Sequence, residues 1–544
     1  MPGARAVIFL LLTVILGVPF ALSLTREGAS GPADAPTLIV VTPHVQQIRD
    51  EFGRAFSDWH ERMYAQPARI DWRTPGGTSE IRKQLEAQFQ AVAKSLEALD
   101  SWEIDEQGRL WLPPGAVGFD VILGGGSYDH GQLKRGLQRA VTIRKGSDAS
   151  STTYELDFTL TISAPAGFPQ DQLDEWFGEN AIGPQRLYDP EQFWLGTALS
   201  SFGIVYNRDT LSDLGLPEPT TFHDLTDPRL AGWVALADPR QSGSITTTFD
   251  SILGNAGWDE GWRILRAMSG NTRYFTSSST KPPIDVSQGE AAAGLAIDFY
   301  GRGQAQTVGG GRVGYTDPAG AVYIDADPVS IINGAPHPEL ARRFIEFCLS
   351  EEGQALWQLP PRDTPEGADN PITADGTKLG PAHNALRRMP VRRAMYERYR
   401  DHFVDQIDPF AVVSDVENPG WRTGVQVMMG CFAVDVAPQC RKAWRAIARA
   451  ERDERFPREV LDEMRRLFFA WPETPVDAEG AFTTGEPAET LPWSEANYRR
   501  IRASWRPPGA QARAEIVYTR FFLENYRKIV DLSKARSLAL GGTP

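Results

Sequence analysis

The chain has 544 residues, too many for one hydrophobic core, so at least two lobes are expected. With 56 Lys+Arg against 70 Asp+Glu it carries a formal charge of −14, which excludes sequence-independent nucleic-acid binding through a basic face. Hydrophobic residues at 41% supply a large core, and three cysteines in this length exclude a disulfide-built scaffold and cysteine-rich metal modules.

Arg5 precedes an apolar run from Ala6 to Leu24. A cationic start before such a run reads as an export segment over 1–24, and the sequence leaves two fates open. It is either cleaved near Ala21-Leu22-Ser23 or retained as an anchor, since the run is also long enough to span a bilayer. Either fate places the protein in the periplasm or on the extracellular face of the cytoplasmic membrane. Residues 25–36, TREGASGPADAP, read as a linker.

Strands and helices then alternate. TLIVV (37–41) is a short apolar strand, and Ile48, Phe52, Phe56, Trp59 and Met63 recur at helical spacing after it. ARIDW (68–72) is a second strand, followed by a helix carrying Ile81, Leu85, Phe89, Val92, Leu96 and Leu99 on one face. FDVIL (119–123) is a third. This rhythm implies a parallel sheet with right-handed crossovers, hence an α/β fold. Residues 130–190 break it, because VTIRK and TYELDFTLTIS look like antiparallel strands around the polar turn GSDASS. Alternation resumes with GIVYN, WVALAD, a helix from about Thr246, GLAID and AVYIDADPVSII, then a helix over 338–350 with Cys348 facing inward. From 381 to 544 the pattern is mostly helical, with amphipathic stripes that read as packing faces. Cys431 and Cys440 could pair in an oxidising compartment, and three unpaired thiols are an equal reading.

In open parallel sheets ligands bind beyond the carboxyl ends of the strands, where helix N-termini present unpaired N–H groups. Four such ends here are rich in glycine and hydroxyls. They hold Thr74 with Gly76, Gly77, Thr78 and Ser79; Gly125, Gly126 and Ser127; and Gln241, Ser242, Gly243 and Ser244; the first strand ends in Thr42-Pro43-His44. Glycine lets a ligand approach the backbone, and Ser or Thr can donate to an oxyanion or simply cap the helix. One loop alone is plain capping; four at equivalent places describe a binding cleft for a small anion such as a phosphonate, a phosphate ester or a carboxylate. His44 is the one histidine at a strand end, and Asp298 and Tyr300 close the strand GLAID. No nucleophile elbow, zinc-protease or P-loop motif occurs, which argues against an enzyme. Gly309 to Gly314 satisfies a dinucleotide glycine pattern in letters only, since it follows no strand and opens no helix.

Several strings together resemble the extracellular solute-binding proteins of ABC importers, in the ferric-iron-type branch of the type 2 periplasmic binding proteins. LIVVTPHVQQIRDEFGRAFSDWHE is similar to that family's first strand and helix, and FDVILGGG to its third strand. SSFGIVYNRDTLSDLGLPEPTTFHDLTDPRLAGWVALADPRQSGS runs from hinge strand to second-lobe strand, and DPAGAVYIDADPVSIINGAPHPELARRFIEFCLSEEGQALW resembles the return. The resemblance implies a two-lobed clamshell with a β-rich insertion and a helical C-terminal extension. Lobe 1 would hold 37–203, with the insertion at about 130–190, and return at 325–440. Lobe 2 would be 204–324, and 441–544 the extension. Hinge crossings are expected at 203–206 and 321–327.

The implied function is capture of a small solute between the lobes for import by a membrane permease, by a monomer, with no cofactor and no nucleic acid. Fe3+ is an alternative cargo, and a membrane-tethered sensor or scaffold module, or an enzyme, on the same fold is the alternative role. Ferric-binding members use two adjacent tyrosines, a histidine after the first strand and a carboxylate after the third. Here the tyrosine pair falls on Phe299 and Tyr300, the histidine on His44, and no carboxylate stands in Gly125–Ser127. Iron would have to rely on His44, Asp298 and Tyr300. A hard trivalent cation wants more anionic oxygens than that, which favours the organic anion.

Overall fold

The computed structural model describes residues 35–96, 101–145, 152–309, 311–318 and 321–539. The expected export segment, most of the linker, and the GSDASS turn fall outside them. Among the described residues no helix is long and apolar enough to cross a membrane.

Lobe 1 is built on the parallel strands Arg69–Arg73, Thr37–Val41 and Val121–Leu123, in that spatial order. Leu38, Val40 and Val41 are buried, as a strand covered on both faces requires. One cover is helix Gln46–Tyr64, which buries Ile48, Phe52, Phe56 and Trp59. Met63, the last member of that stripe, is 59% exposed, because the helix reaches its left-handed cap at Ala65 beyond the edge of the sheet. Helix Thr78–Lys94 covers the other face with Ile81, Leu85 and Phe89. The hairpin Leu137–Lys145 with Thr152–Leu160 packs on the same side through Phe158 and Leu160, so the insertion belongs to lobe 1.

Lobe 2 repeats the plan with Thr272–Thr276, Val234–Ala237 and Ala293–Ile297. The two plans are joined by Leu195–Asn207, thirteen buried residues long. Its Ser201 pairs with Ile324 of lobe 1, whereas the next residue, Phe202, pairs with Ile297 of lobe 2. One strand therefore runs through both sheets, and lobe 1 resumes with Ile324–Ile332. In each lobe the order is second strand, first, third, then an antiparallel strand from the hinge, which is the type 2 arrangement.

The expected lobe 1 return to 440 needs correction. The chain crosses a third time at 414–421, tied by the Ser414 amide donating to the Val322 carbonyl at 2.9 Å and the Trp421 amide to Asp250 at 2.8 Å. Beyond it, Val425, Met428, Met429 and Phe432 share one core with Phe249, Ile252, Trp258 and Trp262 of lobe 2. Burial of that aromatic surface decides which lobe receives the extension, and local periodicity carries no information about it. Arg266 anchors the packing. Its guanidinium donates to the carbonyls of Phe468 and Ala470 and lies against the rings of Phe432, Trp471 and Phe522 at 4.7 to 5.0 Å. Cys348, Cys431 and Cys440 are buried free thiols, so Cys431 and Cys440 do not pair.

Candidate functional site

A cavity of about 440 Å³ lies between the lobes at the carboxyl ends of their strands. His44, Thr74, Gly76, Gly77, Thr78, Gly125 and Gly126 line it from lobe 1, and Gln241, Ser242, Gly243, Ser244 and Tyr300 from lobe 2. Three residues expected there lie elsewhere. Ser79 is buried where the lobes meet, its hydroxyl 3.6 Å from where a methyl on Gly243 would stand; Ser127 directs its amide to Asp325 at 3.2 Å; Asp298 is fully buried, 3.4 Å from Arg302. The trio His44, Asp298 and Tyr300, set out above for a ferric cargo, is thus not assembled around the cavity.

Two helix N-termini face the cavity from opposite lobes. Helix Thr78–Lys94 starts after Gly77, and helix Gly243–Ala256 starts after Ser242, whose hydroxyl accepts from the Ile245 amide. First-turn amides have no partner inside a helix, so those of Thr78, Gly243 and Ser244 are open to an anion. The lobes touch here. A methyl group added at Gly243 would meet the Asp129 carboxylate of lobe 1 at 2.7 Å, and one at Gly77 would meet the Gln241 carbonyl of lobe 2 at 3.5 Å. Gly125 has φ of +113°, and a methyl there would stand 2.4 Å from Thr78, so only glycine fits this turn.

The cavity floor carries groups that sequence reasoning missed: Arg388, Asp325, Asp327, Ser200 and Arg49. Asp325 and Asp327 alternate along the return strand IDADPVSII and so share a face, a signal that was available in the sequence. Arg388 stands in no motif. Its guanidinium bonds Asp327, donates to Ser200 Oγ at 2.6 Å and reaches His44 Nε2 at 2.6 Å.

The His44 tautomer follows from its neighbours. The single hydroxyl proton of Thr42 goes to the Leu123 carbonyl at 2.7 Å, so His44 Nδ1 must donate to Thr42 Oγ1 at 3.0 Å. Nε2 lies between the Arg388 guanidinium at 2.6 Å, from which it accepts, and Asp327 Oδ2 at 2.9 Å. Burial, with Arg388 and Arg49 adding to it against the pull of Asp327, lowers the His44 pKa and keeps the ring neutral. Burial pushes Asp327 up, but the Arg388 guanidinium and the Gly125 amide at 2.7 Å outweigh it and hold the carboxylate at about 2. Asp325 behaves oppositely. Burial raises it to about 6 against the Ser127 bonds, and its Oδ1 has no hydrogen-bond partner among the described residues. Burial pushes the Tyr300 phenol to about 12, with Arg388 opposing, so it serves as a hydroxyl donor. Among the described residues no cluster of three or more His, Cys, Asp or Glu side chains is placed to hold a metal ion.

The site therefore offers helix N-terminal amides to negative oxygens and the carboxylates of Glu80, Asp129 and Asp325 to donors, with Arg388 paired to Asp327 on its floor. Beyond Phe299 and Tyr300 the cavity adjoins a wider groove of about 970 Å³ between the lobes, lined by Gln47, Gln304, Asn370 and Asn384 among others.

Fold and site define a hinged, two-lobed α/β protein with a polar cavity between its lobes. Residues 171–374 match the family described as bacterial extracellular solute-binding protein. Among curated proteins, the phosphoglycerate transport regulatory protein PgtC of Salmonella typhimurium is 26% identical over 290 residues, 52% of this chain and 63% of that protein. The match thus spans less than two thirds of that relative. Iron uptake protein A1 of Synechocystis is 26% identical over 187 residues, 32% of this chain and 50% of that protein. Among solved structures, the periplasmic binding protein AfuA from Actinobacillus pleuropneumoniae with fructose-6-phosphate is 18% identical, covers 59% of this chain and 82% of its own, and gives a TM-score of 0.43.

Proposed function

We propose that this protein is the solute receptor of an ABC importer on the outer face of the cytoplasmic membrane, delivering its cargo to a membrane permease. Its solute is a small anion, a phosphate ester, phosphonate or carboxylate, that also carries hydroxyl or amino groups. The observation that carries this reading is the pair of helix N-termini, at Thr78 from lobe 1 and Gly243 from lobe 2, opening on one interlobe cavity. An anion held there is bonded by both lobes, and so favours the closed state by the difference in contacts it makes there. Asp325 adds selectivity, because a purely anionic solute would leave its unpartnered oxygen facing like charge, whereas a hydroxyl or ammonium satisfies it. The likeness to a phosphoglycerate transport regulatory protein makes phosphorylated hydroxy compounds the first candidates.

The test is native mass spectrometry of protein purified from its own host, with release and identification of what is bound, then calorimetric titration with phosphoglycerate, fructose-6-phosphate and ferric citrate. A hydroxylated anion bound one-to-one is the expected result. Ferric ion bound in preference to the organic anions would overturn the assignment.

A further inference from the structure

The helical extension, for which the family resemblance gives no role, sends one side chain to the solute loop. Arg422 follows the third crossing, directly after Trp421, at the start of helix Arg422–Met429. It is 7% exposed, and no carboxylate among the described residues lies within ion-pair distance of it. One nitrogen donates to the Thr247 hydroxyl and another to the Gly243 carbonyl at 3.1 Å, so it buttresses the first turn of the lobe 2 helix that faces the cavity. The same guanidinium lies over the ring of Tyr128, with Cζ 4.1 Å from the centroid. Tyr128 belongs to helix Ser127–Arg135 of lobe 1.

We propose that Arg422 is a positioning residue for the solute site, through which the extension both fixes the Gly243–Thr247 turn and clasps lobe 1 at Tyr128. The Arg422 guanidinium, whose charge is shared with the Asp250 and Asp325 carboxylates nearby, holds the Thr247 hydroxyl and the Gly243 carbonyl and so fixes the direction in which the first-turn amides face an anion. Its contact with Tyr128 crosses the cleft and exists only while the lobes are together, so it is a differential contact of the closed state. The extension is carried by lobe 2, so the clasp closes with the clamshell as a part of the protein and not as a separate partner.

The solute arm of the test rests on the receptor reading above; the scattering arm does not. Solution scattering of the full chain without solute compares wild type with Arg422→Gln, Arg422→Lys and Tyr128→Ala. Arg422→Gln and Tyr128→Ala should both give a more open particle, the double variant should be no more open than either, and Arg422→Lys should stay near wild type because it keeps a cation over the ring. Tyr128 is 39% exposed, so its substitution tests the clasp even where an Arg422 variant fails to fold. Phosphoglycerate titrated into each should bind Arg422→Gln roughly ten-fold more weakly than wild type, with Arg422→Lys recovering most of the loss. Profiles of Arg422→Gln and Tyr128→Ala that superpose on wild type overturn the proposal, whatever the titration shows. If wild type binds no phosphoglycerate and the variants still open, the clasp stands and it is the solute reading that fails.

Discussion

The guanidinium of Arg388 lies on the ring of Phe299, with Cζ 4.3 Å from the ring centroid. In the family resemblance drawn from the sequence, Phe299 falls where ferric-binding members would carry the first of two adjacent tyrosines. Arg388, itself paired with Asp327, occupies the face of that ring, and among the described residues no cluster of three or more His, Cys, Asp or Glu side chains is placed to hold a metal ion. Restoring the phenol should therefore not restore iron. Phe299→Tyr is expected to show no tyrosinate-to-iron charge-transfer band when titrated with ferric citrate, and appearance of such a band at one equivalent would reverse this account of the site.

Arg388 also neutralises Asp327 inside the protein, both being 3 to 4% exposed at the side chain. Removing one partner of a buried pair costs about 3–5 kcal/mol, since the other charge is stranded. Arg388→Met should lose stability in that range in urea unfolding, and adding Asp327→Asn should recover a large part of it. A double variant no more stable than the single would show that the two do not act as a pair.

Gly243 separates folding from closure. It begins a helix at an ordinary backbone conformation, and alanine is the better helix former, so Gly243→Ala should leave the unfolding midpoint unchanged or slightly raised. Its methyl would lie 2.7 Å from Asp129 across the cleft, so solute affinity should fall by roughly ten-fold or more while the particle in scattering becomes more open. Wild-type affinity in this variant would place the solute away from the two helix ends.

Asp298 predicts a pH dependence. Burial, with Asp317 adding and Arg302 opposing, raises it to about 7, and its Oδ1 has no partner among the described residues. A carboxyl raised on folding gives stability that is complete below its unfolded pKa, about 3.9, and lost as pH climbs through the folded value. Asp298→Asn, which cannot ionise, should escape roughly 2–4 kcal/mol of that loss between about pH 4 and pH 8. Urea unfolding across the range measures it, and parallel curves for the two proteins would show that Asp298 titrates normally.

The extension is expected to be inseparable from lobe 2. Trp258, Trp262 and Phe249 are covered by residues beyond 420, and Arg266 reaches the backbone of 468–470. Arg266→Leu should lower stability by about 3 kcal/mol or more, because two carbonyls lose their donor and the rings of Phe432, Phe468, Trp471 and Phe522 lose the cation between them. A thermal unfolding midpoint equal to wild type would mean that the extension is only loosely held.

Much of the architecture was legible because it is written in short-range pattern. The runs TLIVV, WVALA and AGLAI are too apolar for anything but buried strands, and the stripe Ile48, Phe52, Phe56, Trp59 has a helix period. The glycine and hydroxyl loops could be placed in a cleft because a parallel sheet puts all its strand ends on one side. Asp298 was misplaced for a related reason. At the end of a strand a carboxylate faces either the cleft or the layer beneath, and only its pairing with Arg302 shows that it faces the layer beneath.

What the sequence determined by itself was the α/β alternation, the two lobes and the loops that meet between them, since each follows from residues close together in the chain. The tertiary structure alone decided which cations meet those loops. Arg388 reaches His44 across 344 positions and Arg422 reaches Gly243 across 179, and such separations leave no periodic trace. It also decided that the extension sits on lobe 2, because an amphipathic helix records that it must bury a face, while only the complementary aromatic surface of Trp258 and Trp262 determines where.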